Sequence, residues 1–69
     1  MQNTNYDLLH ALENRLDAIL VYDQYIKDAQ QDNAQELTQM WQQFRQNDQQ
    51  CVDILRQQLV KRVQSNQFQ

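Results

Sequence analysis

The 69 residues contain no glycine and no proline. Strand-rich folds turn on those residues, so hairpin sheets, barrels and sandwiches are disfavoured. A phosphate-cradling loop is excluded for the same reason, because it needs glycine. A single cysteine, Cys51, rules out a disulfide within one chain and fits a reducing compartment. No basic stripe exists: six Lys and Arg are scattered among nine acids, for a net charge of −3. That balance disfavours nucleic-acid binding by phosphate neutralisation. The longest unbroken apolar run, Ala18 to Tyr22, is far too short to span a bilayer. The first ten residues lack a basic start and an apolar stretch of signal-peptide type. Basic residues do not flank an apolar helix face as a membrane-surface helix requires. His10 is the only imidazole and Ser65 sits near the end, so no Ser/His/Asp set can be assembled. The expectation is a cytoplasmic, non-catalytic protein with neither nucleic-acid nor membrane partners.

What the chain does have is periodicity. Sixteen glutamines lie between regularly spaced apolar residues, and glutamine is a good helix former, so they read as a neutral, solvated helix face. Leu8, Leu9, Leu12, Leu16, Ile19, Tyr22, Ile26 and Ala29 mark a first helix, flanked by Leu20, Val21 and Tyr25. Leu37, Met40/Trp41, Phe44, Asp48, Cys51, Leu55, Leu59 and Val63 mark a second, with Val52, Ile54 and Val60 on neighbouring rows. The expected helices cover about residues 5–31 and 34–64, within one domain of residues 1–69. Thr4 or Asn5 is the candidate N-cap, and Asn33 the best residue for a left-handed cap without glycine. Ser65 to Gln69 is expected to fray, with Phe68 too isolated to place. Arg56, Lys61 and Arg62 complement the second helix's dipole. Lys27 with Asp23, and Arg45 with Gln49, read as ordinary pairs along a helix face.

Two helices with a short connection form an antiparallel hairpin, an all-α fold. A chain this short hides only about 60% of its unfolded surface and is marginal alone. Tyr22, Tyr25, Trp41 and Phe44 are large, and burying each is worth ~1.5–3 kcal/mol. A hairpin cannot cover both apolar stripes, so the expected remedy is a two-fold homodimer closing a four-helix bundle, with those four rings as its core. A higher oligomer or a hetero-partner supplying the missing helices would meet the same need. A third possibility is a coiled-coil adaptor, in which Asp48 would face water.

Asp48 and Cys51 fall in the middle of the second apolar stripe, and a carboxylate there needs a partner. With the turn near residue 32, hairpin geometry brings Arg15 to their level.

Residues 15 to 51 also resemble one half of a rubrerythrin-like bundle of the ferritin-like superfamily. In that family a ligand glutamate precedes a tyrosine by seven residues. An aromatic follows at plus three, a small residue at plus seven, and then a turn. A further aromatic comes at plus nineteen, and a Glu-x-x-His pair at plus twenty-six and plus twenty-nine. Here Tyr22 is followed in that frame by Tyr25, Ala29, Asn33 in the turn, Trp41, Asp48 and Cys51. The resemblance implies a four-helix bundle with Tyr22 and Tyr25 donating to a buried carboxylate. The ligands depart from it: Arg15 stands at the first glutamate, Asp48 at the second and Cys51 at the histidine. Arginine has no lone pair for a metal, so a di-iron site of the family type is disabled. The register instead points to a buried ion pair between Arg15 and Asp48, in place of a metal. The function expected is that of an interaction or accessory protein, with no cofactor.

The alternative keeps a metal (iron, manganese or zinc) in a non-standard site at the dimer centre, built from Asp48, Cys51, Glu13 and His10. His10, Glu13 and Asp17 share one helix face by spacing, and Asp53 is the one nearby acid on the second helix. A solvated face explains the same residues. Cys51 could likewise be a metal ligand or a redox thiol if a cation such as Arg15 lowered its pKa. Free cysteine more often serves as a small hydrophobe, and no second cysteine is present to resolve an oxidised thiol.

Overall fold

In a computed structural model the described residues form two helices and no strand: α1, Asn3–Gln31, and α2, Gln35–Gln64. The structure describes residues 3–68; Met1, Gln2 and Gln69, part of the expected 1–69 unit, lie outside them. The helices run antiparallel in a rod of 50 × 16 × 12 Å. The hairpin and its boundaries match the expectation from the sequence to within two residues.

The turn is tight because an asparagine adopts the conformation that usually calls for glycine. Asn33 has φ 55. The amide of Ala34 donates to Ala29 O (2.9 Å) and that of Asn33 to Gln30 O (3.1 Å). This is a Schellman closure, which satisfies carbonyls that the helix end would otherwise leave open. The end of α2 repeats it: Asn66 has φ 59, Gln67 N bonds Arg62 O at 2.8 Å, and Asn66 N bonds Val63 O at 3.2 Å. Ser65 adds a hydroxyl bond to Lys61 O at 2.9 Å. Hydrogen bonds thus close the chain around residues 65–67, at the start of the stretch expected to fray.

Thr4 and Asn5 are not caps, since α1 already begins at Asn3. Asn5 is turned inward and fully buried. At the start of α2, Ala34 is the cap position and makes no side-chain cap bond. Thr38 Oγ1 donates back to Ala34 O at 3.0 Å instead. Outside, glutamine amides bridge to residues four ahead, as Gln24 to Asp28 (2.9 Å) and Gln43 to Asn47 (3.1 Å). Pairs at that spacing support an exposed helix by ~0.2–0.5 kcal/mol each.

The seam between the helices has a strict alternation of three and four. On α1 it reads Asn5, Leu8, Leu12, Arg15, Ile19, Tyr22, Ile26, Ala29. On the other side it reads Ala34, Thr38, Trp41, Arg45, Asp48, Val52, Leu55, Leu59, Arg62. Every member except Arg15 is buried or half-buried. Such a 3.5-residue period keeps one narrow stripe against the facing helix, as in a coiled coil. The apolar stripes expected from composition need correction on this point. Leu9, Leu16, Leu37, Phe44 and Val63 are exposed, whereas Val52, assigned to a neighbouring row, is the most buried apolar residue at 2%. Asp48 holds the seam position expected of it, but the stripes leave out Asn5, Thr38, Arg45 and Arg62, which are polar members of the seam.

Candidate interaction surface

Three polar contacts cross the seam. At its centre Arg15 Nη1 donates to Asp48 Oδ1 at 3.0 Å. The pair is asymmetric: the Asp48 side chain is 9% exposed, the Arg15 side chain 51%. Only the carboxylate is buried, and the long arginine stem carries its guanidinium outward to water. Asp48 faces the neighbouring helix and not solvent, unlike the coiled-coil alternative. One turn nearer the loop, Arg45 Nε meets Asp23 Oδ1 at 2.6 Å, with both side chains about half-exposed. Spacing along each helix pairs Asp23 with Lys27 and Arg45 with Gln49; in the structure Asp23 takes its cation from across the seam, because Arg45 occupies a seam position.

The third contact ties the two chain ends together. Asn5 Nδ2 donates to Gln67 O at 2.8 Å, while Asn5 Oδ1 accepts from Arg62 Nε. A buried amide with both ends satisfied is tolerable, and its directional bonds fix register. Sequence reasoning missed this clasp. The available signal was the seven-residue spacing that puts Asn5 in line with Leu12, Ile19 and Ile26.

Toward the loop, the four expected core rings form one cluster. Trp41 stacks on Tyr22 at 5.9 Å between centroids and meets Tyr25 at 4.9 Å and Phe44 at 5.7 Å. Tyr22 in turn reaches Phe44 edge-on at 6.1 Å. Offset and edge arrangements of this kind add ~0.5–1.5 kcal/mol beyond area burial. Tyr22 and Trp41 are half-buried seam residues, and Tyr25 and Phe44 flank them, exposed.

The candidate metal ligands do not converge within the hairpin. His10 and Glu13 are exposed on the outer side of α1, with His10 against the Tyr6 ring at 5.2 Å. Asp48 is buried in the seam with Arg15, and Cys51 is half-buried beside it. Among the described residues no three His, Cys, Asp or Glu side chains come together as a metal cage.

The two flanks of the seam differ. On one, α1 contributes Ala11, Ala18, Val21 and Tyr25, and α2 contributes Leu37, Met40, Phe44, Cys51 and Ile54. This flank runs over residues 11–25 of α1 and 37–54 of α2, with the exposed Asn14 and Asn47 on its outer margin, and ends near the loop in an open groove formed by Tyr25, Ala29, Leu37 and Trp41. Asp28 and Asp32 form its rim. On the opposite flank Tyr6, Leu9, Leu16 and Leu20 of α1 and Val60 and Val63 of α2 are also exposed, with Gln42, Gln49 and Arg56 of α2 set among them.

Comparisons with family models, curated proteins and solved structures gave no match. The described residues form a helical hairpin that leaves large apolar side chains uncovered beside its seam. No helix among the described residues is long and apolar enough to cross a membrane.

Proposed function

We propose that this chain is a non-catalytic assembly element that homodimerises into a four-helix bundle and serves as an interaction or accessory protein. The observation that carries this reading is the uncovered apolar flank. The rod as a whole is also over-exposed for its mass. A folded chain of 8.4 kDa exposes about 4,600 Å² by the usual scaling. This one exposes 5344 Å², an excess of roughly 700 Å². A stable protein interface covers ~800 Å² on each partner. The hairpin's own core is thin, with Ile19, Ala29 and Val52 its only buried apolar side chains among the described residues.

The descent implied by the frame from Arg15 to Cys51, a ferritin-like half whose ligand positions now hold a cation and a thiol, belongs to the same proposal. Its support is that Asp48, the one buried carboxylate among the described residues, is already engaged by Arg15. A reducing, cytoplasmic setting would keep Cys51 a thiol. Sedimentation equilibrium over a wide concentration range tests the reading. Twice the chain mass, with helix content falling on dilution, is expected. A folded monomer at every concentration would refute it.

A further inference from the structure

The apolar flank is graded from end to end. Large side chains gather toward the loop, where Tyr25, Leu37, Met40 and Phe44 lie near Trp41. Farther along, the flank narrows to small groups, Ala18 on α1 and Cys51 on α2, and ends at the exposed Ile54. Charge is graded as well. Asp28 and Asp32 rim the groove at the loop, while Lys61 lies at the open end on the same side of α2.

We infer that two copies join through this flank with their hairpins antiparallel, loops at opposite ends, about a two-fold axis beside Phe44; this rests on the homodimer reading above. The midpoint of the exposed stretch from Leu37 to Ile54 fixes the axis. In that arrangement like helices face each other across the axis. Tyr25 then covers the second copy's Ala18, Met40 covers its Cys51, and Ile54 enters its groove at Leu37. Lys61 comes over the second copy's turn, where Asp32 stands. Large meets small and cation meets anion at both ends, which close packing and electrostatic matching both require.

The other face-to-face two-fold places the loops together and sets each helix against the opposite one. Tyr25 and Phe44 of both copies then crowd one end, together with four acids, two from each turn. At the other end Ala18 would face Cys51 across a gap. Packing density and like-charge repulsion both act against it.

The native thiol makes the arrangement measurable. Under the antiparallel two-fold the two Cys51 residues lie about 16 Å apart along the bundle at 1.5 Å per residue, too far for a disulfide. A Met40→Cys variant places its new thiol opposite the second copy's Cys51. Mild oxidation should convert most of this variant to a covalent dimer on a non-reducing gel, with the wild type remaining uncrosslinked. Ala18→Cys serves as the opposing probe, because it meets Cys51 between copies only when the loops are together. A covalent dimer from Ala18→Cys, or from neither variant, overturns the antiparallel arrangement. Sedimentation of each variant before oxidation keeps the two proposals separate: a monomer there refutes dimerisation itself, and a dimer with the wrong crosslink refutes only the orientation.

Discussion

The two ends of this rod are held by opposite means. At the loop end the helices are covalently joined by a three-residue turn, and a four-ring cluster packs beside it. At the open end the helices are held by hydrogen bonds, Asn5 with Arg62 and the Gln67 carbonyl. The difference follows from chain entropy. Near a turn, helices meet at high effective concentration, so non-directional aromatic packing suffices. Asn5 and Gln67 are 62 positions apart in sequence, and slippage by one turn would cost little in a glutamine-rich rod. Directional bonds from a buried amide penalise that slip.

The comparison breaks first at the ring cluster. Trp41→Ala should cost ~3 kcal/mol, the lower end for deleting a large aromatic, since Trp41 is only half-buried. Urea melts followed by circular dichroism, at matched protein concentration, would measure it. At the centre of the rod, Arg15→Met leaves the Asp48 carboxylate buried without its cation. Removing one partner of a buried pair costs 3–5 kcal/mol, and the half-exposed guanidinium brings the expectation down to ~1–3 kcal/mol. Adding Asp48→Leu should recover most of that loss, because an apolar pair avoids the desolvation cost. If the double variant is no more stable than Arg15→Met alone, Asp48 is not acting as a buried charge. At the open end, Asn5→Ala should cost ~1–2 kcal/mol for two lost hydrogen bonds. Hydrogen exchange should quicken at both chain ends and stay unchanged around Trp41. A uniform rise along the rod would contradict the division of labour.

These contacts also show how far the sequence could be read. Two helices, their limits and the left-handed Asn33 follow from spacing and from the absence of glycine. So does the level of Arg15 with Asp48, because a short turn fixes register near itself. The rotation of each helix was harder. Apolar residues alone pointed to Leu37, Phe44 and Val63 as inward, whereas the buried line includes Thr38, Arg45, Val52 and Arg62. When so many seam positions are polar, hydropathy locates the wider apolar surface and not the narrower stripe that touches the other helix. A count at seven-residue intervals would have found it. The clasp at Asn5 was hidden for another reason: Asn near a helix start reads as a cap, and only the facing Arg62 shows that it is a seam residue.

The finest distinction between the ends lies in their shared Schellman closures. Asn33 and Asn66 both hold φ near +57°, a region where any Cβ is strained and glycine is not. Asn33→Gly and Asn66→Gly should each relieve ~0.5 kcal/mol locally, less the extra freedom glycine gains in the unfolded chain. The two gains should register differently. The turn at Asn33 opens only when the hairpin comes apart, so its substitution should raise the midpoint of global unfolding. Asn66 closes a helix end that can fray while the rest stays folded, so its substitution should slow exchange of the amides after Val63 and leave the midpoint nearly unmoved. Equal midpoint shifts from both would mean that the open end does not open separately, and that the polar clasp couples it to the cluster of rings at the far end.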